Sequence, residues 1–431
     1  MRIPLNRLPA TELARLIETG EATAEVVARS FIDAIREGEF ELQTFAWFDA
    51  ERALALAAEL DRLPRRGPLH GLPVAVKDNI DTAGIPTGYG SPIYAGHRPP
   101  ADAACVALLE DAGAYVLGKT VLTEMANFTP GPTRNPHAPA HTPGGSSSGS
   151  AAAVAAHFAP LALGTQTAGS VIRPAAFCGV VAYKPSPRLV PRTGVKPNSD
   201  TLDEVGVFAR SVADAALAAG VLAAKPGWKD LPAQGVAGAA PTVGVTATSQ
   251  RALAAPSMLA ALDAAAHKLS HAGARLAEVT WPFVFDGLFE AQRVVQTYET
   301  ARALAPEFAY RRDQLSVRLA ELIEQGRALP TADYAAALQL ARACAAAIES
   351  LFGAADVLLA PSAPGEAPKG LNSTGDPVFN RPWQLLGCPV VNLPYGTGET
   401  GLPLGLSVVA RPGDDARLFA AAAWVEAALA A

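Results

Sequence analysis

The sequence predicts an α/β protein built around a largely buried sheet. Two observations carry this. Short apolar runs, LPVAV (72–76), AYVL (114–117), PLALGTQ (160–166), CPVVNLP (388–394) and LGLSVVA (404–410), have the length and continuous hydrophobicity of strands covered on both faces. Segments with apolar residues at helical spacing alternate with them, which is the pattern of a layered α/β architecture.

Taken in order, residues 9–20 and 23–37 read as amphipathic helices. Thr23 is placed to cap the second, in which Val26, Val27, Phe31, Ala34 and Ile35 recur at helical spacing. Residues 50–61 are helical again, LPVAV is a strand ended by Lys77, and a polar loop follows. Residues 102–112 predict a helix before the AYVL strand, and 151–159 a helix with small residues all round before PLALGTQ. The Gly-, Pro- and Ala-rich stretch 224–242 reads as a long connection. A strand at 241–247, a helix at 250–273 and a mostly helical region at 287–352 come next. Strands return at 356–365, 388–394 and 404–410, and a helix over 414–430 ends the chain. Strands at both ends with helices between them predict one domain over 1–431, with a motif core at about 67–217 and a helical substrate-side region at about 287–352.

Composition narrows the function. Half of the 431 residues are hydrophobic and 18% charged, enough for a sizeable core. The net charge of -6, with no basic run, lacks the footprint of a nucleic-acid binder. No 18-residue apolar span suggests a membrane segment, and the N-terminus lacks the apolar core of a signal peptide, so a cytoplasmic location is expected. Cys105, Cys178, Cys344 and Cys388 are far apart and form no CxxC pair, so neither a metal site nor a dithiol motif is expected.

The chemistry concentrates in GGSSSGSAAAVAAHFAPLALGTQTAGS (144–170). Four readings compete. A phosphate loop would need the lysine of the P-loop motif, which is absent. GSSSG (145–149) matches a nucleophile elbow centred on Ser147, but three prolines precede it where a strand is required, and the last histidine, His271, lies in a helical pattern. A structural turn is the plain alternative. The fourth reading makes a lysine the base for a serine nucleophile. Its ordinary pKa near 10.4 would have to fall by about 3 units, and burial at the end of LPVAVK does this for Lys77.

On longer segments the chain resembles the amidase signature hydrolases. The segments are GLPVAVKDNIDTAGIPTGYGS (71–91), GGSSSGSAAAVAAHFAPLALGTQTAGSVIRPAAFCGVVAYKP (144–185), GVKPNSDTLDEVGVFARSVADAAL (194–217) and GLPLGLSVVARPGDDARL (401–418). The resemblance implies an α/β/α sandwich with a central mixed, twisted sheet surrounded by helices. It implies a Ser-Ser-Lys triad: Ser170 as nucleophile, Ser146 as relay after a cis peptide bond, and Lys77 as base. Backbone N–H groups of Thr167, Ala168, Gly169 and Ser170 would form the oxyanion hole, with Ser147 orienting the triad or serving as a turn residue. It further implies a small-molecule amide cleaved to acid and ammonia or amine, with no cofactor and no metal, by a homodimer without nucleic-acid or membrane partners.

Two departures from the family pattern stand out. Gln166 replaces the usual Asp, and Ile172 replaces the usual Arg, with Arg173 one residue later, so a common Asp–Arg pairing is missing or rewired. This form most resembles the malonamidase-like subgroup, which implies that Arg173 recognises a substrate carboxylate; a structural ion pair is the alternative. Lys119, Asp78 and Asp81 read as structural, Asp376 as a weak candidate for substrate contact, and Tyr298, Tyr334 and Trp383 as pocket or core aromatics. Two other functions share these motifs. One is the catalytic subunit of a tRNA-dependent amidotransferase, typically longer and keeping the Asp and Arg absent here. The other is a non-catalytic relative, which the presence of Lys77, Ser146 and Ser170 disfavours.

Overall fold

In the computed structural model, which describes residues 3–431, one sheet of eleven strands runs through the chain. The strands are β1 (Phe45–Phe48), β2 (Pro73–Lys77), β3 (Tyr115–Thr120), β4 (Leu161–Gln166), β5 (Val181–Lys184), β6 (Glu204–Ala209), β7 (Thr242–Val245), β8 (Arg275–Ala277), β9 (Val357–Pro361), β10 (Val390–Thr397) and β11 (Pro403–Val409). Their spatial order is β1-β3-β2-β4-β6-β5-β10-β11-β9-β7-β8. β3, β2 and β4 are parallel, as are β9, β7 and β8; the other pairings are antiparallel, so the sheet is mixed.

The strand period of two sorts side chains into two apolar layers. Val74, Val76, Leu161, Leu163, Val181, Tyr183, Val357 and Leu359 enter one layer. Ala75, Ala162, Ala182, Leu358 and Ala360 enter the other. The small side chains of this second face admit a close helix, Ser148–Ala155, whose Ala151, Ala152, Ala153 and Val154 are buried against it. Its composition follows from that approach: a Cβ on Gly149 would lie 2.2 Å from the Thr44 carbonyl oxygen. The helix begins three residues before the predicted 151 and stops at Ala155, just before His157, whose φ of 59° leaves the helical region.

Other predictions differ from the structure in definite ways. The predicted connection 224–242 contains a helix, Leu231–Ala237, which glycine permits: a Cβ on Gly235 would lie 2.1 Å from the carbonyl oxygen of Ala420 in the C-terminal helix Asp415–Ala430. The predicted helix 250–273 is a short 3-10 turn followed by Pro256–His271. β1, β5, β6 and β8, and the helices Ile172–Cys178 and Val212–Leu222, are elements that the sequence pattern does not predict. Among the described residues no helix is long and apolar enough to cross a membrane, and all four cysteines are buried and unpaired.

Candidate active site

The site forms where β2 and β4 end side by side. Lys77 closes β2, where the parallel register sets Val76 beside Leu163 of β4, and the Lys77 side chain reaches Thr165 two residues further along that strand. Its Nζ lies 2.8 Å from Thr165 Oγ1, 3.3 Å from the Thr165 carbonyl oxygen and 2.8 Å from Ser146 Oγ. Lys77 is fully buried and pairs with no carboxylate among the described residues. Burial drives its pKa well below the ordinary lysine value, and the more distant Asp203 carboxylate offsets this only in part. Asn79 Nδ2 donates to Thr165 Oγ1 at 3.0 Å and completes the arrangement.

Ser146 arrives on the turn ahead of the small-residue helix. Gly144 has φ 84°, the Gly145–Ser146 peptide is cis, and a Cβ on Gly145 would lie 2.7 Å from the Thr374 methyl, so glycine is needed at both positions. Thr123 N–H donates to the Ser146 carbonyl at 3.2 Å. Ser147 is tied to the next strand: its Oγ lies 3.2 Å from the Thr165 carbonyl oxygen and accepts from Thr165 N–H at 3.3 Å, and its own N–H donates to the Ser170 carbonyl at 3.3 Å. Ser147 therefore joins the two small-residue segments.

Ser170 ends the loop 167–170. It is buried, though more open than Ser146, and its Oγ makes no hydrogen bond among the described residues. The structure thus brings Lys77 and Ser146 into contact and attaches Ser170 through backbone only. Among the described residues the backbone N–H groups of Thr167, Ala168, Gly169 and Ser170 donate no hydrogen bond. Four consecutive free N–H groups make a concentration of donors.

Gln166 explains how the loop holds its shape. Its Oε1 accepts from Val171 N–H at 2.9 Å and Ile172 N–H at 3.0 Å, and its Nε2 donates to Gln384 Oε1 at 2.9 Å. Gln166 and Gln384 thus form a buried amide pair. Three further side chains hold Thr167; two of them, Asn198 and Asp203, lie in the segment 194–217, but no residue pattern there singles them out. Asp203 accepts from the Thr167 hydroxyl at 2.6 Å, Gln292 Nε2 donates to the Thr167 carbonyl at 3.0 Å, and Asn198 Nδ2 donates to Thr167 Oγ1 at 3.2 Å.

Arg173 is buried in the helix Ile172–Cys178 and forms no ion pair among the described residues, so the structural ion pair is absent. Its Nη2 donates to the Gly145 carbonyl at 2.6 Å and to Thr374 Oγ1 at 3.1 Å, while its Nε is buried without a partner. Burial lowers its pKa to about 9, and the Asp376 carboxylate offsets this in part. Lys119 and Asp78 pair with each other at 3.6 Å, and Asp78 also accepts from Gly88 N–H at 2.9 Å. Asp81 accepts from Tyr89 at 2.6 Å. Asp376 caps its own turn by accepting from Val378 N–H at 2.9 Å. Tyr298 and Tyr334 stack with ring centroids 4.1 Å apart, and Trp383 is buried against Trp281.

The fold and this arrangement define an enzyme that acts on carbon–nitrogen bonds. The chain belongs to the amidase signature family: the sequence model described as Amidase matches residues 26–419. Among curated relatives, a subunit of the glutamyl-tRNA(Gln) amidotransferase of Koribacter versatilis is 32% identical over the whole of both chains. The same-named protein of Salinispora arenicola is 34% identical over 99% of this chain and 98% of its own. Among solved structures, the peptide amidase of Stenotrophomonas maltophilia superposes with a TM-score of 0.86 at 31% identity, covering 99% of this chain and 98% of that one. A component of a vestigial complex tied to the origins of an s-triazine catabolic enzyme superposes with a TM-score of 0.88 at 30% identity, covering 97% and 98%.

Proposed function

We propose that this chain hydrolyses a small carboxylic amide through an acyl-enzyme on Ser170. The observation that carries the reading is Lys77: a buried amine without a counter-ion, 2.8 Å from Ser146 Oγ. Held neutral by burial, it accepts the Ser146 proton while Ser146 takes the proton of Ser170, whose Oγ attacks the amide carbonyl. The oxyanion is met by the free N–H groups of residues 167–170. The proton returns through Ser146 to the leaving nitrogen, ammonia or amine departs, and water deprotonated by the same relay cleaves the ester to acid and free Ser170. Ser147 positions both segments.

Arg173 selects amides that carry a carboxylate. The buried guanidinium has its Nε unsatisfied and no carboxylate in contact among the described residues, the Asp376 carboxylate acting on it only from further off, which leaves room for a substrate anion. It also braces the peptide preceding Ser146, which ties recognition to the relay.

A second reading is favoured by the curated relatives, which are amidotransferase subunits whose name couples them to a glutamyl-tRNA. There the same acyl-enzyme would release ammonia for transfer, beside partner subunits and tRNA, against the expectation of no nucleic-acid partner. Gaps within the alignment weigh the other way. The Koribacter alignment runs over 481 positions and this chain has 431 residues, so at least 50 positions have no counterpart here.

Ammonia release by the purified chain alone, on malonamate against propionamide with Ser170→Ala as blank, tests both. Serine-dependent release favouring malonamate supports the hydrolase and Arg173 together. Release favouring propionamide removes the role of Arg173. Release that appears only with amidotransferase partner subunits and glutamyl-tRNA makes the second reading the correct one.

A further inference from the structure

The helix Leu288–Ala303 lies outside every recognised motif, yet it places a polar side chain on the loop that carries Ser170. Gln292 is fully buried in it and all its hydrogen-bonding groups are used in one orientation. Its Oε1 accepts from Arg381 Nη1, and its Nε2 donates to the Thr167 carbonyl at 3.0 Å and to Gln296 Oε1 at 3.1 Å. An amide can flip; a guanidinium cannot, because it only donates. Arg381 therefore fixes the amide oxygen toward itself and leaves the NH₂ group facing Thr167.

The consequence falls on the next residue. The 167–168 peptide bond is trans, so its C=O and N–H point in opposite directions. Holding the Thr167 oxygen against Gln292 turns the Ala168 N–H away from that helix, and this N–H finds no acceptor among the described residues. Asp203 holds the hydroxyl of the same residue at 2.6 Å, so Thr167 is fixed at two points.

We infer that Gln292, locked by Arg381, is the positioning residue that aims the Ala168 N–H at the oxyanion. This rests on the acyl-enzyme reading of Ser170. Gln292 touches no reacting atom. Its loss is felt only when charge develops on the substrate oxygen, so it alters the transition state and spares substrate binding.

The test uses the whole purified chain and two variants of similar shape. Gln292→Met removes both donors. Gln292→Glu keeps an oxygen for Arg381 and places a second oxygen against the Thr167 carbonyl. Both are expected to lower kcat about 10- to 100-fold, short of or equal to the loss of one oxyanion donor, with KM within about twofold of the parent. A boronic acid that forms a tetrahedral adduct on Ser170 should weaken by the same factor as kcat, while the product acid binds unchanged. Unchanged kcat, or equal weakening of boronate and product acid, overturns the inference. Arg381→Gln, at a partly buried position, gives an independent route if the core variants fold poorly. It should lower kcat in the parent and have no further effect in the Gln292→Met background; additive losses overturn the coupling. Failure of the underlying reading is distinguishable, because Ser170→Ala would then keep its turnover and the boronate would form no adduct on Ser170.

Discussion

Lys77 Nζ sits 2.8 Å from Ser146 Oγ and 2.8 Å from Thr165 Oγ1. The Thr165 carbonyl, at 3.3 Å, can only accept. A neutral amine has two N–H bonds and one lone pair. With both N–H bonds given to Thr165, the lone pair faces the Ser146 hydroxyl, which is the arrangement a base requires.

The same burial predicts a stability signature. The folded-state pKa of Lys77 is lowered, so between it and the ordinary value near 10.4 the unfolded chain binds a proton that the folded chain does not. Stability owed to this residue therefore rises with pH through that window and is reduced below it. Lys77→Met should melt at a higher temperature than the parent at pH 7, and the gap should narrow as pH approaches about 10.4, each unit of separation being worth about 1.4 kcal/mol. Paired thermal melts at pH 7 and pH 10 measure it. A gap that does not change with pH would mean that Lys77 is not held neutral.

The Lys77→Met substitution should move activity the opposite way from stability, although both rise with pH in the parent. Lys77→Met loses about 10³-fold or more in kcat, and the parent rate falls toward acid pH as Lys77 takes up a proton. A variant with parent-like turnover would remove Lys77 from the role of base.

Ser170→Ala should abolish turnover, by about 10⁴-fold or more, with its melting temperature within about 1–2 degrees of the parent, the scale of a few tenths of a kcal/mol. Ser170 Oγ makes no hydrogen bond among the described residues, so little folding energy depends on it. Mass spectrometry after rapid acid quench should find the acyl adduct on the peptide containing residue 170 in the parent and not in the variant.

Arg173→Lys should cost malonamate roughly 10- to 100-fold more in kcat/KM than propionamide, the range that corresponds to a hydrogen-bonded charge of about 1.5–3 kcal/mol. An equal loss on both substrates would trace the effect to the bonds from Arg173 to Gly145 and Thr374.

What was legible in the sequence had local causes. Lys77 ends an uninterrupted apolar run, and the Gly/Ser density around 144–170 reflects backbone approaches that exclude a Cβ at Gly145 and Gly149. β5 and β6 escape a sequence reading because Val181–Lys184 is only four residues long and Glu204–Ala209 mixes apolar residues with a buried Glu204. Asp203, Gln292, Asn198 and Arg381 reach the site from the segments 198–203, 288–303 and 381–385, far from Ser170 in sequence. No spacing rule connects them, since only the packing of the 198–203 segment and the 288–303 helix against the loop brings them together. Thr165 carried a weak signal, lying one strand period from Leu163 and five residues before Ser170.

Gln166 gives a prediction that separates this chain from relatives with an acidic residue there. Its two halves do different work: Oε1 receives the N–H groups of Val171 and Ile172, and Nε2 meets the oxygen of Gln384. Gln384 cannot turn its own amide without cost, because its Nε2 already donates to the Leu202 carbonyl. Gln166→Glu keeps the acceptor for the helix Ile172–Cys178 but sets a carboxylate oxygen against the Gln384 oxygen in a buried site. It should therefore destabilise the fold by about 1–3 kcal/mol. Gln384→Arg alone buries a charge without a partner, whereas combined with Gln166→Glu it supplies one. The double variant should recover part of the loss, and denaturant titration of the four proteins in that cycle measures the coupling. Recovery in the double variant would show that the amide pair fills the place of an ion pair. Independent losses would show that Gln384 holds Leu202 and contributes nothing to Gln166.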